Sequence, residues 1–166
     1  MKAVRYPIAV LLAVIIAAAP AAALDKGDKA PYFTLKTIDG KTVSLTSLRK
    51  GSKVLLIDFW ATNCPPCVAE IPHIQKLYTK YQKQGLRIAG ISGYRGDSIQ
   101  DVKAFIKENK VTYPIPYDAS KSVARQYGLW ALPLMYVIDK NGVVKNIHIG
   151  YTDPEILESE IKALLK

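Results

Sequence analysis

The sequence predicts an α/β sandwich built on a mixed sheet. Three features carry that expectation. Lys53 to Trp60, KVLLIDFW, is an apolar run of the kind that forms a central strand buried on both faces. Directly after it, Val68, Ile71, Ile74, Leu77 or Tyr78, and Tyr81 recur at helical spacing. Asp39-Gly40 and Asn141-Gly142, dipeptides that favour tight turns, mark a hairpin towards each end of the chain.

The elements follow in order. A hairpin is expected within Gly27 to Leu45, GDKAPYFTLKTIDGKTVSL, turning at Asp39-Gly40. The central strand Lys53 to Trp60 feeds a helix that starts near Cys64, with Pro65 and Pro66 in its first turn, where a missing N–H is harmless. Pro72, inside the helical pattern, predicts a kink. Leu86 to Ser92 reads as the next strand and Ser98 to Asn109 as a helix. Tyr113 to Tyr117 and Ser120 to Tyr127 read as a further strand and helix. Leu134 to Asp139 and Val143 to Ile149 pair around Asn141-Gly142, and Pro154 to Leu165 forms the last helix with Asp153 as its cap.

Residues 1–23 differ from the rest. Lys2 and Arg5 precede an uncharged stretch from Pro7 to Ala19, and a small-residue run ends at Ala23, a secretory signal pattern with cleavage before Leu24. The apolar core is about a dozen residues, short of the roughly 20 of a spanning helix. Pro7 to Leu24 would just span if retained, so an uncleaved anchor is the alternative. Either way the working domain is expected outside the cytoplasm.

Without the leader, 143 of the 166 residues remain and the formal charge falls from +9 to +7. That is the size of one domain with its own core. Its basic residues are spread from Lys26 to Lys166 with no run of five, which argues against nucleic-acid binding.

The chain has two cysteines, Cys64 and Cys67, in NCPPCVAEIP. A bridge closing so small a loop is worth only about 2 kcal/mol, against about 3 for a 15-residue loop, so it is a poor staple. Zinc would need further ligands, and His73 and His148 are the only other soft candidates. On a shared helix His73 would point about 240° away from Cys67. A redox pair fits better. Cys64 would sit at the helix N-terminus, where free N–H groups and the macrodipole favour a thiolate, with Cys67 one turn inside. That makes Cys64 the exposed nucleophile and Cys67 the shielded resolver.

Asp58, within the buried run and six residues before Cys64, is costly there unless it has a partner or a task. With WATNCPPC and VAEIP, this pattern resembles the TlpA/ResA-like disulfide reductases of the thioredoxin superfamily, over nearly all of residues 24–166. The resemblance implies a thioredoxin-like three-layer α/β/α sandwich with an N-terminal β-hairpin, the strand Tyr113 to Tyr117 and the helix Ser120 to Tyr127 being the family's inserted βα element. It implies Cys64 and Cys67 as the catalytic pair, Asp58 as a buried proton acceptor for the inner thiol, and Glu70 as an active-site acid. Asp58 and Glu70 are expected to titrate as a coupled pair. Leu132-Pro133 matches the superfamily's cis-proline, where a substrate strand would dock. Trp60, Pro65, Pro66, Leu132 and Pro133 are thus the expected substrate surface. The chain departs from the family at Asn63, where a tryptophan is usual, at Leu132 and Leu134, where threonine is common, and at Asp58, where many members are neutral. Trp130 and Leu132 are candidates for the missing apolar wall.

The activity implied is that of an exported thiol-disulfide oxidoreductase needing no cofactor and no metal.

 

On the family's pattern, Cys64 attacks a substrate disulfide and Cys67 resolves the mixed disulfide. Protein disulfide substrates are implied, including oxidised CxxCH haem-attachment sites of apocytochromes c. An upstream membrane thiol reductant, a monomeric state, and a periplasmic or other extracytoplasmic location, free or anchored to the inner membrane, complete the expectation. Two alternatives share the fold. A thiol peroxidase needs a Pro-x-x-x-Thr-x-x-Cys pattern, but Ile57 and Ala61 stand at the proline and threonine positions. A copper-binding chaperone needs wider cysteine spacing and a nearby histidine, which His148, between Ile147 and Ile149, matches poorly. Pro65 and Pro66 offer no N–H to a thiolate, which points to a reductant rather than a strong oxidant.

Overall fold

The computed structural model describes residues 24–166; the expected signal segment lies outside the described residues. Strands β1 (Thr34–Lys36) and β2 (Thr42–Ser44) pair antiparallel, and α1 (Leu45–Arg49) follows. Gly40, with φ at 87°, makes the turn between the two strands, as the Asp39-Gly40 dipeptide predicts. The central sheet contains β3 (Val54–Phe59), β4 (Leu86–Ile91), β5 (Leu134–Asp139) and β6 (Val144–Ile149), in the order β4-β3-β5-β6. β3 runs parallel to β4 and antiparallel to β5, and β5 pairs antiparallel with β6, so the sheet is mixed. Every residue of β3 is buried, which is why its sequence shows no polar alternation apart from Asp58.

Helices α2 (Pro65–Tyr81), α3 (Ile99–Glu108), α4 (Ser122–Gln126) and α5 (Pro154–Leu165) complete the fold. α2 continues through Pro72, which cannot supply the intrahelical N–H that would reach the Val68 carbonyl. Ser98 caps α3 in a reciprocal pair with Asp101, and Asp153 caps α5 by accepting from Glu155 N at 2.8 Å. One row across the sheet aligns Gly90, Asp58, Met135 and His148, so their side-chain positions share a face. The opposite face carries Phe59 and Tyr136, which pack against Tyr127 at the end of α4 with ring centroids 5.4 and 5.3 Å away. Helices therefore lie on both faces of the sheet.

Two expected elements differ. Tyr113 to Tyr117 forms isolated bridges along β4 and the hairpin instead of a continuous strand. Gly90 N donates to Pro114 O and Ser92 N to Pro116 O, but the two prolines have no N–H to return, so the ladder is one-sided until Asp118 N donates to Ser92 O. The helix expected over Ser120 to Tyr127 shortens to α4. Buried Asp118 accepts from Ser122 N and Ala124 N, which fixes the helix start beyond Lys121, a residue with φ at 56°.

Candidate active site

The chain leaves β3 with Trp60 N still donating to Ile91 O, then turns through Ala61, Thr62 and Asn63 into α2. Buried Asp97 pins this turn: its carboxylate accepts from Thr62 N at 2.9 Å and from Thr62 Oγ1 at 2.5 Å. Asn63 Nδ2 donates to Arg95 O at 2.9 Å. Asn63 thus anchors the loop and supplies no apolar wall, as its departure from the usual tryptophan implies. Asp97 escaped the sequence reading because it lies far along the chain and no local spacing links it to the motif.

Cys64 occupies the N-cap of α2, with Pro65 and Pro66 at the first two helical positions. Those prolines remove two of the free N–H groups that normally open a helix, leaving the Cys67 N–H as the next donor. Cys64 and Cys67 form a disulfide with their Cα atoms 5.2 Å apart. Cys64 is only 1% exposed, as is Cys67, which corrects the expectation of an exposed outer cysteine. Bonding draws the Cys64 sulfur towards the inner sulfur, and the solvent face of the motif belongs to Pro65 and Pro66.

Asp58 and Glu70 are both buried, one on β3 and one on α2, and they repel each other electrostatically. Asp58 Oδ1 has no hydrogen-bond partner among the protein atoms. Burial, reinforced by Glu70, raises the Asp58 carboxyl well above its ordinary range. Burial also raises Glu70, while its bond from Thr152 N at 3.1 Å and the nearby His148 oppose that rise. A carboxylate with raised basicity is a better proton acceptor for a thiol than an ordinary one. The backbone of Thr152 and the phenol of Tyr113 were not foreseen as neighbours of these acids. Burial pushes the Tyr113 hydroxyl up, helped by Asp58 and Glu70.

Gly90 explains how Tyr113 gets there. It stands opposite Asp58 on β4, and a Cβ on Gly90 would come within 2.9 Å of the Tyr113 ring, 3.0 Å of Trp60 Nε1 and 3.1 Å of Ile115. The missing side chain is the space these residues fill. Trp60 is wholly buried and packs on Phe105 at 5.2 Å between ring centroids, so it lies beneath the motif rather than on its surface.

The Leu132-Pro133 bond is cis. Phe59 and Leu134 are partners in the β3–β5 register, which places Pro133 at the same sheet end as the turn into Cys64. Leu132 is half-buried, whereas Trp130 is 76% exposed and borders a shallow cleft with Tyr94, Arg95, Leu129 and Leu132. His73 lies elsewhere, in a cleft with Lys76, Lys80 and Glu158. His148 Nε2 pairs with Glu160 Oε2 at 2.8 Å. Among the described residues, no group of three or more His, Cys, Asp and Glu side chains is arranged to hold a metal ion.

Comparison with known proteins gives the same picture. The AhpC/TSA family model matches residues 26–147. The thiol-disulfide oxidoreductase ResA of Geobacillus thermodenitrificans is 35% identical over 138 residues, covering 83% of this chain and 77% of its own. The thioredoxin-like protein YneN of Bacillus subtilis is also 35% identical, over 83% of this chain and 79% of its own. A crystal structure from Chlorobium tepidum, assigned as the thiol:disulfide interchange protein DsbE, superposes with a TM-score of 0.79 at 33% identity, over 87% of this chain and 100% of that one. The chain belongs to the AhpC/TSA family, as a ResA-like thiol-disulfide oxidoreductase with the thioredoxin-like fold.

Proposed function

We propose that this oxidoreductase is exported and works as a reductant of disulfides in other extracytoplasmic proteins. The observation that carries the proposal is the Cys64–Cys67 disulfide at the start of α2, above the buried Asp58 and Glu70. In the reduced protein the Cys64 thiolate attacks a substrate disulfide and one substrate sulfur leaves as a thiolate. Cys67 then gives its proton to the acid pair and attacks Cys64 Sγ. The Cys64–substrate bond breaks, its electron pair stays on the substrate sulfur, and the enzyme is left oxidised. Pro65, Pro66 and half-buried Leu132 form the surface along which the substrate backbone lies, with buried Pro133 and Trp60 supporting it from below.

Export rests on the signal pattern of residues 1–23, with release or anchoring both compatible with it. CxxCH sites of apocytochromes c are the specific substrates that the family resemblance suggests, and a membrane thiol reductant is the matching donor. The prolines after Cys64 favour the reducing direction because they withhold N–H groups from the thiolate. Equilibration of the full chain with a glutathione redox buffer tests that direction. A potential near about −270 mV supports a reductant, and one near about −120 mV overturns it in favour of an oxidant.

A further inference from the structure

We propose that His148, aligned by Glu160, is the relay that carries protons between solvent and the buried Asp58–Glu70 pair. The inference rests on the reading that these acids take the Cys67 proton. If they do, that proton must leave before the next cycle. A bound substrate covers the Cys64 side of the site while Cys67 reacts, so a path on another side keeps proton traffic independent of substrate release.

The sheet places a titratable side chain on that other side. Asp58, Met135 and His148 are successive members of one cross-sheet row, and β6 is an edge strand. Neighbouring strands are about 4.8 Å apart, which puts the His148 backbone about 10 Å from that of Asp58 with Met135 between them. Glu70 reaches this region from α2, close enough for His148 to act on its carboxyl electrostatically. On the other side, Glu160 from α5 holds His148 Nε2 at 2.8 Å, and both side chains are partly open to solvent, at 17% and 20%. An imidazole can accept a proton on one nitrogen and release one from the other near neutral pH, and Glu160 fixes the ring for that exchange.

Other titratable groups near these elements are accounted for. Tyr113 faces Asp58 and Glu70 but is wholly buried, so it opens no route to solvent. Lys162 and Lys80 pair with Glu158 on α5. His73, one helical turn from Glu70 on α2, lines the separate cleft beside Lys76 and Lys80 and is the competing relay.

The proton balance is simple. Cys67 loses one proton to a carboxylate, the carboxyl passes it to His148, and the imidazolium releases it to water or to Glu160. No electrons move in these transfers, and the substrate thiolate takes its own proton from solvent.

Infrared spectroscopy after a pH jump, applied to the oxidised full chain, reads deprotonation of the buried carboxyl directly. Asp58→Asn identifies the band. His148→Gln is expected to slow the loss of that band by about tenfold, and added imidazole to restore it, while His73→Gln changes nothing. An unchanged rate in His148→Gln, slowing that imidazole does not rescue, or equal slowing in His73→Gln overturns the relay. Should His148→Gln fail to fold, Glu160→Gln decides: slowing is expected, and the parent rate overturns the proposal. The measurement reads carboxyls rather than thiols, so a failure of the acids to assist Cys67 would show separately, as unchanged mixed-disulfide resolution in Asp58→Asn and Glu70→Gln.

Discussion

Asp58 is buried with one carboxylate oxygen unpartnered, and its folded-state affinity for a proton is raised. Stability from such a group is fully present below the ordinary carboxylate pKa and is lost as pH rises through the folded one. The oxidised full chain should therefore be less stable to urea at about pH 8 than at about pH 5. Asp58→Asn should reduce this slope and stabilise the protein at the higher pH by about 1–3 kcal/mol. An unaltered slope in that variant would contradict the assignment. Asp58 was legible in the sequence as the one acid in an apolar run, and Glu70 through the family resemblance of the motif that contains it. Tyr113 was not, because its approach depends on the absence of a side chain at Gly90, a tertiary fact with no local signal.

At the scale of elements, the Gly90 contacts give a second prediction. Gly90→Ala should destabilise the fold by about 1–3 kcal/mol, measured by denaturant unfolding, because its methyl group meets two aromatic rings and Ile115. A neutral result would mean that Tyr113 moves aside freely. Asp97 gives a third. Asp97→Ala removes both acceptors of Thr62, so amide exchange at Thr62 should accelerate and stability should fall by about 1–3 kcal/mol. Exchange at the parent rate would show that the turn holds itself. The turns were readable from Asp39-Gly40 and Asn141-Gly142, whose chemistry is local. The segment at Tyr113 to Tyr117 was misread because its aromatic and branched residues suggest a strand, whereas Pro114 and Pro116 remove the donors a strand needs.

For the whole molecule, alternation of strands and helices predicted the mixed α/β sheet, and the redox motif was readable from two cysteines at the start of a helix. The cross-sheet row from Gly90 to His148 was not readable, because strand order and register depend on long-range pairing. That row runs from the buried acids to the sheet edge, and those acids serve the inner sulfur as its proton acceptors. The direct test is the rate at which Cys67 releases a small thiol disulfide-bonded to Cys64, followed from about pH 5 to about pH 9 in the full chain and in its Asp58→Asn/Glu70→Gln variant. The double variant should be slower by about a hundredfold near neutral pH and follow the titration of an ordinary thiol, about 8.5. Equal rates for the two proteins across that range would contradict it.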